Sequence, residues 1–179
     1  KKIIILGATG LIGHQVYFQL KANKDFSVLS FAHQKKISQA TMLLDARDEH
    51  LLEKVIVGIN PDVIVNCMGV LIAEANRTPE NAIFLNAYIP QRLKTIANTL
   101  GAKLVHISTD CVFSGKKGSY TEDDIKDAED TYGRAKAMGE VTESPHITLR
   151  TSVVGPEIKK GEELFHWFMM QEGKIKGFT

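Results

Sequence analysis

The 179 residues suffice for one ordinary domain with a sizeable core, and a composition of 44% hydrophobic and 24% charged residues is that of a soluble globular protein. With 22 basic and 21 acidic residues the net charge is +1, which removes any electrostatic case for nucleic acid or an anionic membrane as partner. No apolar run approaches the ~20 residues of a spanning helix, no secretory signal precedes the first strand, and an opening Lys in place of Met points to a trimmed start. Cys67 and Cys111 make neither a disulfide framework nor a metal-ligand spacing, and the six His are scattered. The expectations are reduced thiols, a cytoplasmic location and no metal site.

The first thirteen residues, Lys1 to Gly13, carry the strongest local signal. Ile3, Ile4, Ile5 and Leu6 form a continuous apolar run, as in a strand covered on both faces. They lead straight into Gly7, Gly10 and Gly13, spaced one residue wider at the first gap than the G-x-G-x-x-G dinucleotide fingerprint. Gly7 permits a sharp turn, Gly10 lets a phosphate approach the backbone, and Gly13 lets the helix pack close to the strand. The N–H groups opening that helix suit a pyrophosphate. The same glycines would also serve a plain strand–turn–helix.

Leu11, Ile12, Val16 and Leu20 then share one helical face, and Lys21, Asn23 and Lys24 close the helix. Phe26 to Phe31 reads as a second strand, followed by the polar His33-Gln34-Lys35-Lys36. A short third strand, Met42 to Leu44, ends at Asp45; residues 48 to 57 look helical with Asp48 as cap; Val63 to Val65 is a buried fourth strand ending at Asn66. Pro79 to Leu100 is helical in pattern, but Pro90 lacks a backbone donor, so a kink or break is predicted near Ala87 to Ile89. Gly101 ends that helix. Lys103 to Ile107 is the fifth strand, Ser114 to Asp130 a polar acidic loop, residues 131 to 142 a helix, and Ile147 to Arg150 the sixth strand. Leu164 to Met170 forms a last helix, and Lys174 to Thr179 starts a further strand. This alternation predicts an α/β class: a Rossmann-like, doubly wound parallel sheet with helices on both faces. Ligands then bind beyond the carboxyl ends of the strands. The glycine turn, the loop after Phe31, Asp45, the loop after Asn66 and Ser108-Thr109-Asp110 all fall there.

Tyr132 and Lys136 stand four apart on a helix and so share a face. A nearby ammonium favours the phenolate, which predicts a lowered Tyr132 pKa and a group able to exchange a proton near neutrality. An exposed aromatic beside a solvated lysine would give the same spacing. A hydroxyl from Ser108 or Thr109 could hydrogen-bond a substrate carbonyl beside the tyrosine, although turn or capping chemistry also fits, Ser108 better than Thr109.

GATGLIG at the start, STDCVFSG after the fifth strand and YGRAKAMGE on the next helix resemble the extended short-chain dehydrogenase/reductase superfamily, most of all the dTDP-4-dehydrorhamnose reductase family. NCMG, LNAYIPQRL and LRTSVVGPE extend the likeness over nearly the whole chain. The resemblance implies Thr109, Tyr132 and Lys136 as catalytic: Tyr132 the proton donor, Lys136 holding the nicotinamide ribose and tuning Tyr132, Thr109 bonding the reacting oxygen. It implies cofactor contacts from Gly7, Thr9, Gly10, Leu11, Ile12, Gly13, His33, Lys35, Asp45, Ala46, Cys67, Met68, Gly69 and Ser108, with Asp45 and Ala46 near adenine and Asn66 leading the loop under the ribose and phosphates. Substrate would meet Thr109, Asp110 and Arg150, the last beside Thr151-Ser152-Val153. Two departures stand out. Cys111 replaces the aromatic residue many of these reductases carry after STD, which alters a substrate contact. Family members also continue past position 179, so residues 1–150 are expected to form the dinucleotide-binding domain and residues 151–179 only the beginning of a substrate-binding region, cut short and without turnover by itself.

Phe31 to Lys36 holds no Asp or Glu for a ribose 2′-hydroxyl, while His33, Lys35 and Lys36 could accommodate a 2′-phosphate, so NADP(H) is favoured over NAD(H). The resemblance thus implies a cytoplasmic, NAD(P)H-dependent reduction of the 4-keto group of a nucleotide-linked deoxysugar, in dTDP-rhamnose and cell-surface polysaccharide precursor biosynthesis, with a homodimer as a possible assembly. The alternatives are a sugar-nucleotide epimerase or dehydratase of the same superfamily, and a non-catalytic NAD(P)-binding regulatory subunit like the one that binds methionine adenosyltransferase.

Overall fold

The computed structural model describes residues 1–158 and 164–176. Its six strands are β1 (Lys2–Leu6), β2 (Ser27–Ala32), β3 (Met42–Leu43), β4 (Val63–Asn66), β5 (Lys103–Thr109) and β6 (Ile147–Thr151). All pair in parallel, in the order β3-β2-β1-β4-β5-β6. The chain winds outward from β1 through β2 to β3, then returns beside β1 as β4 and winds the other way. The order therefore reverses between β1 and β4, which sets the ligand crevice beyond Leu6 and Asn66, partners in register.

The apolar opening run is explained by burial on both faces. Ile3 and Ile5 pack with Tyr17, Val28 and Val65 under helix α1 (Leu11–Ala22). Ile4 and Leu6 pack on the opposite face with Leu52 and Ile56 of α2 (Glu49–Ile59) and with Ile89, Leu93 and Ile96. Asp48 caps α2 by accepting from Leu51 N–H at 2.9 Å.

The long segment after Pro79 breaks where its proline predicts. After a short helix α3 (Ile72–Arg77), it runs as α4 (Pro79–Ala82), a π-helical stretch Ile83–Tyr88 and α5 (Ile89–Leu100), so the regular helix restarts one residue before Pro90. Pro90 has no N–H for a carbonyl one turn back, and the shifted bonding of the π stretch absorbs the mismatch. Gly101 ends α5 at φ +64°. Helix α3 carries no side-chain cap and was not predicted. β5 extends two residues past the predicted Ile107, because Ser108 and Thr109 pair with Arg150 and Thr151 of β6. Helix α6 (Thr131–Gly139) stops short of residue 142, since Glu140 turns to extended backbone (φ −63°, ψ 134°). The last helix, α7, spans Leu164–Met169. Lys174 to Lys176 form no strand, and the rest of that predicted strand lies outside the described residues. No helix among the described residues is long and apolar enough to cross a membrane.

The glycine turn is fixed by contact as much as by conformation. Gly7 sits at φ +79°, and a Cβ there would lie 2.8 Å from the Cys67 carbonyl. A Cβ on Gly13 would lie 2.1 Å from the Gly7 carbonyl oxygen, which is backbone and cannot swing away. Gly13→Ala is expected to cost about 2–4 kcal/mol through forced displacement of α1 from β1, read as a lowered denaturation midpoint.

Candidate functional site

At the end of β1, Ala8 N–H donates to Phe31 O at 2.9 Å and ties the turn to β2. Gly10 opens α1 without a side-chain cap, and the first turn carries no acidic residue. The N–H groups and positive end of this helix are thereby left to an external anion. Thr9, Leu11 and Ile12 adjoin Gly10 in the chain, and Gly10 stands 3.4 Å, by its absent Cβ, from the Gly7 carbonyl oxygen.

The loop after β4 lies against the cradle through Cys67. Two buried carboxamides pin it. Asn66 Oδ1 accepts Met68 N–H at 3.0 Å, while Asn86 in the π stretch accepts Val70 N–H at 2.9 Å and donates to Val70 O at 3.0 Å. A Cβ on Gly69 would meet Asn86 Oδ1 at 2.8 Å and stand 3.7 Å from Lys136 Nζ. The loop thus bridges the glycine cradle and the lysine of α6.

Thr109, Tyr132 and Lys136 are all buried, and Tyr132 packs among Ala75, Ala82, Ala87 and Ala135, small residues that make room for its ring. Asp130 caps α6 by accepting Gly133 N–H at 2.9 Å and so sets the helix that presents both Tyr132 and Lys136. Lys136 Nζ donates to Ile107 O at 2.7 Å. Burial pushes the Lys136 ammonium down to about 8, against opposing pulls from Cys67 and Glu140, and pushes the Cys67 thiol up to about 12. Burial also raises the Tyr132 phenol, only partly offset by the Thr109 hydroxyl. The expected lowering of Tyr132 by Lys136 is corrected accordingly: desolvation outweighs it, and the ammonium is directed at a backbone carbonyl. Tyr132 is a neutral phenol across the physiological range and suits proton donation.

Three side chains stand elsewhere than expected. Thr109, not Ser108, does the capping: its Oγ accepts Cys111 N–H at 3.2 Å at the head of a short 3-10 turn, and it donates to Asp110 at 3.2 Å. Ser108 Oγ donates to Glu140 at 2.9 Å, so its side chain turns to the protein interior. Arg150 is likewise drawn from the predicted substrate role. Its guanidinium grips Glu140 through two bonds of 2.8 and 2.9 Å, donates to Glu122 O at 3.1 Å and stacks over Phe113. Glu140 is buried, with Lys126 Nζ a further 3.1 Å partner. Burial pushes its carboxyl up, but Arg150, Ser108 and Lys126 together hold it below the ordinary glutamate value. The acidic loop is ordered above this cluster by the Phe113–Tyr120 stack, the Ser114–Asp127 bonds and the Lys117–Asp124 pair.

At the edge expected to meet adenine, the absence of acid from Phe31 to Lys36 does not leave the chain without a carboxylate. Asp45, at the end of β3, lies 3.3 Å from His33 Nε2 and 3.7 Å from Arg47. The backbone N–H of Arg47, then His33 and Arg47 by charge, hold its carboxyl below the usual aspartate value against desolvation. Ala46 is buried behind it, and Lys35 and Lys36 are exposed without ion pairs among the described residues. Asn86 and Glu140 were missed as site-building residues, although both stand in quoted motifs. The signal was there: a carboxamide on an apolar helix just before a proline, and an acid directly after Gly139.

The strand order, the glycine cradle and the buried Thr109, Tyr132 and Lys136 beside it define a Rossmann-like fold of the short-chain dehydrogenase/reductase kind. More narrowly, the chain belongs to the family described as RmlD substrate binding domain, which matches residues 1–174. A hypothetical dTDP-4-dehydrorhamnose reductase from Sulfolobus tokodaii superposes with a TM-score of 0.78 at 29% identity, over 84% of this chain and 55% of that one. The dTDP-4-dehydrorhamnose reductase of Bacillus anthracis, solved in complex with NADP, gives a TM-score of 0.69 at 28% identity, over 78% and 47% of the two chains. The methionine adenosyltransferase 2 subunit beta of Danio rerio is 31% identical over 168 residues, 91% of this chain and 51% of its own length. The chain spans about half the length of the curated relatives it matches.

Proposed function

We propose that the protein is a reductase that uses NADP(H), in preference to NAD(H), to reduce the 4-keto group of a nucleotide-linked deoxysugar, dTDP-4-dehydrorhamnose or a close relative, in cytoplasmic synthesis of polysaccharide precursors. The observation that carries this reading is the convergence of buried Thr109, Tyr132 and Lys136 at the carboxyl end of β5, next to an anion cradle, in a family whose solved members include dTDP-4-dehydrorhamnose reductases. The bound nicotinamide supplies the hydride. Tyr132, kept neutral by burial, donates the proton to the sugar oxygen as general acid. Thr109 Oγ, held at the end of β5 by Cys111 N–H, orients that oxygen. Lys136, three hydrogen-bond donors on a buried ammonium, serves both the ribose hydroxyls and the charge developing at Tyr132. The Gly7–Gly13 turn, with Thr9, Leu11 and Ile12, takes the pyrophosphate. Cys67, Met68 and Gly69 pass beneath the ribose, and Ala46 backs the adenine. Asp110 stays exposed on the substrate side, while Arg150 and Ser108 act through Glu140 by fixing the surrounding loop.

The 2′-phosphate preference rests on charge. Asp45 is met by both His33 and Arg47, so Lys35 and Lys36 remain to offer cations at that edge. Titration of the chain with NADPH and NADH, followed by cofactor fluorescence, is expected to show tighter NADPH binding; equal affinities would remove the preference. Incubation of a chain of the relatives' full length with NADPH and dTDP-4-dehydrorhamnose is expected to oxidise one cofactor per product released. Cofactor retained through turnover would instead indicate an epimerase or dehydratase. The kinship with methionine adenosyltransferase 2 subunit beta favours a second reading, a dinucleotide-binding regulatory subunit. Binding of NADPH with no turnover of any 4-keto sugar nucleotide, in a chain of the relatives' full length, would decide for it.

A further inference from the structure

His106 lies mid-strand in β5, directly opposite Asn66 of β4, and is fully buried. Asn66 Oδ1 accepts the Met68 backbone N–H. A backbone N–H can only donate, so the amide's orientation is settled and its Nδ2 donates to His106 Nδ1, at 3.1 Å. The imidazole proton therefore sits on Nε2, which has no hydrogen-bond partner among the described residues. An apolar side chain would fill this place without an orphaned donor, and such orphans are expensive in a core. What the imidazole provides that an apolar group cannot is the acceptor for Asn66. Burial, with the Lys136 charge, pushes the imidazole down to about 3, so Nδ1 is an acceptor at neutral pH.

We propose that His106 is a positioning residue for the dinucleotide site: by accepting from Asn66 it fixes the Cys67–Val70 loop between the glycine cradle and Lys136. This rests on the functional reading above. The loop has two anchors, Asn66 at Met68 and Asn86 at Val70, and its two walls are Gly7 on one side and Lys136 on the other. Asn86 is held at both ends by Val70 itself. Asn66 is held at one end by the loop and at the other by His106, so its orientation depends on a residue outside the loop, in the neighbouring strand.

The test compares carboxamides that mimic different ring nitrogens. His106→Asn keeps an acceptor at the Nδ1 position, His106→Gln moves it to the Nε2 position, and His106→Phe removes it. Two readouts are taken: NADPH affinity and hydrogen exchange at the Met68 amide. His106→Asn is expected to bind NADPH within about twofold of the unsubstituted chain with Met68 still protected. His106→Gln and His106→Phe are expected to weaken binding at least fivefold and to speed Met68 exchange at least tenfold. Where the Phe variant does not fold, the Asn and Gln pair decides. Unchanged Met68 exchange in the Gln variant, or equal losses in Asn and Gln, would overturn the role of His106. An unsubstituted chain that binds neither NADPH nor NADH overturns the functional reading and the site with it, whatever Met68 shows.

Discussion

In a chain of the relatives' full length, Tyr132→Phe is expected to lower turnover of the 4-keto sugar nucleotide by about 10²–10⁴-fold while leaving NADPH affinity within about twofold, because it removes the general acid and little else. The hydroxyl meets the Thr109 side chain, and the ring is packed among alanines that a phenylalanine would fill equally well. Steady-state kinetics together with a separate cofactor titration checks both halves. The pH profile sharpens the assignment. The phenol is raised above its ordinary value of 10.0 and stays protonated, while the Lys136 ammonium loses its proton near 8. Reductive kcat/KM should therefore be level through neutral pH and fall as pH rises through about 8, from loss of the lysine charge and not of the tyrosine proton. Undiminished turnover in Tyr132→Phe would sink the reductase assignment; an alkaline limb beginning near 10 would remove Lys136 from it.

The largest effect on stability is expected at Glu140. Glu140→Ala strips Ser108, Arg150 and Lys126 of their common acceptor and leaves a gap in the packing. Breaking a buried ion pair by removing one partner costs about 3–5 kcal/mol. The lower end is the appropriate expectation, since Arg150 and Lys126 are partly exposed and can be rehydrated. Chemical denaturation at pH 7 reads the loss. Glu140→Met combined with Arg150→Met should recover most of it, because an apolar pair of similar volume removes both ends of the Arg150 pair and leaves only the partly exposed Lys126, which water can reach. The sign with pH follows from the depressed Glu140 carboxyl: its contribution is present above the unfolded glutamate value near 4.5 and disappears as pH falls through the lower folded value. A double variant no more stable than Glu140→Ala would show that the loss comes from the hydrogen bonds of the cluster themselves and not from a charge left unpaired.

These two residues also show how legible the site was. Tyr132 and Lys136 could be paired from their spacing alone, because helical periodicity places residues four apart on one face. The glycine turn and the proline-induced break before Ile89 were equally local, each set by what one residue type can or cannot do to the backbone. Arg150 was misplaced for the opposite reason. A guanidinium near the ends of strands looks available until the fold brings Glu140, ten residues earlier, into its fork. Ser108 and Thr109 exchanged capping and interior roles because successive strand residues point to opposite faces, and β5 ran two residues further than its apolar stretch suggested.

The sequence by itself determined the alternation of strand and helix, the fully buried first strand, the wide-spaced glycine turn and the shared helical face of Tyr132 and Lys136, because each depends on neighbours within a few residues or on periodicity; the grouping of Thr109 with them came from the family resemblance. Only the tertiary structure decided which way the buried polar groups turn and what charge they carry. It placed Asp45 beside His33, closed Glu140 around Arg150, raised the Tyr132 phenol where proximity to lysine alone would lower it, and set His106 behind Asn66. Desolvation and hydrogen-bond partnership come from residues distant in the chain, and no local pattern encodes them.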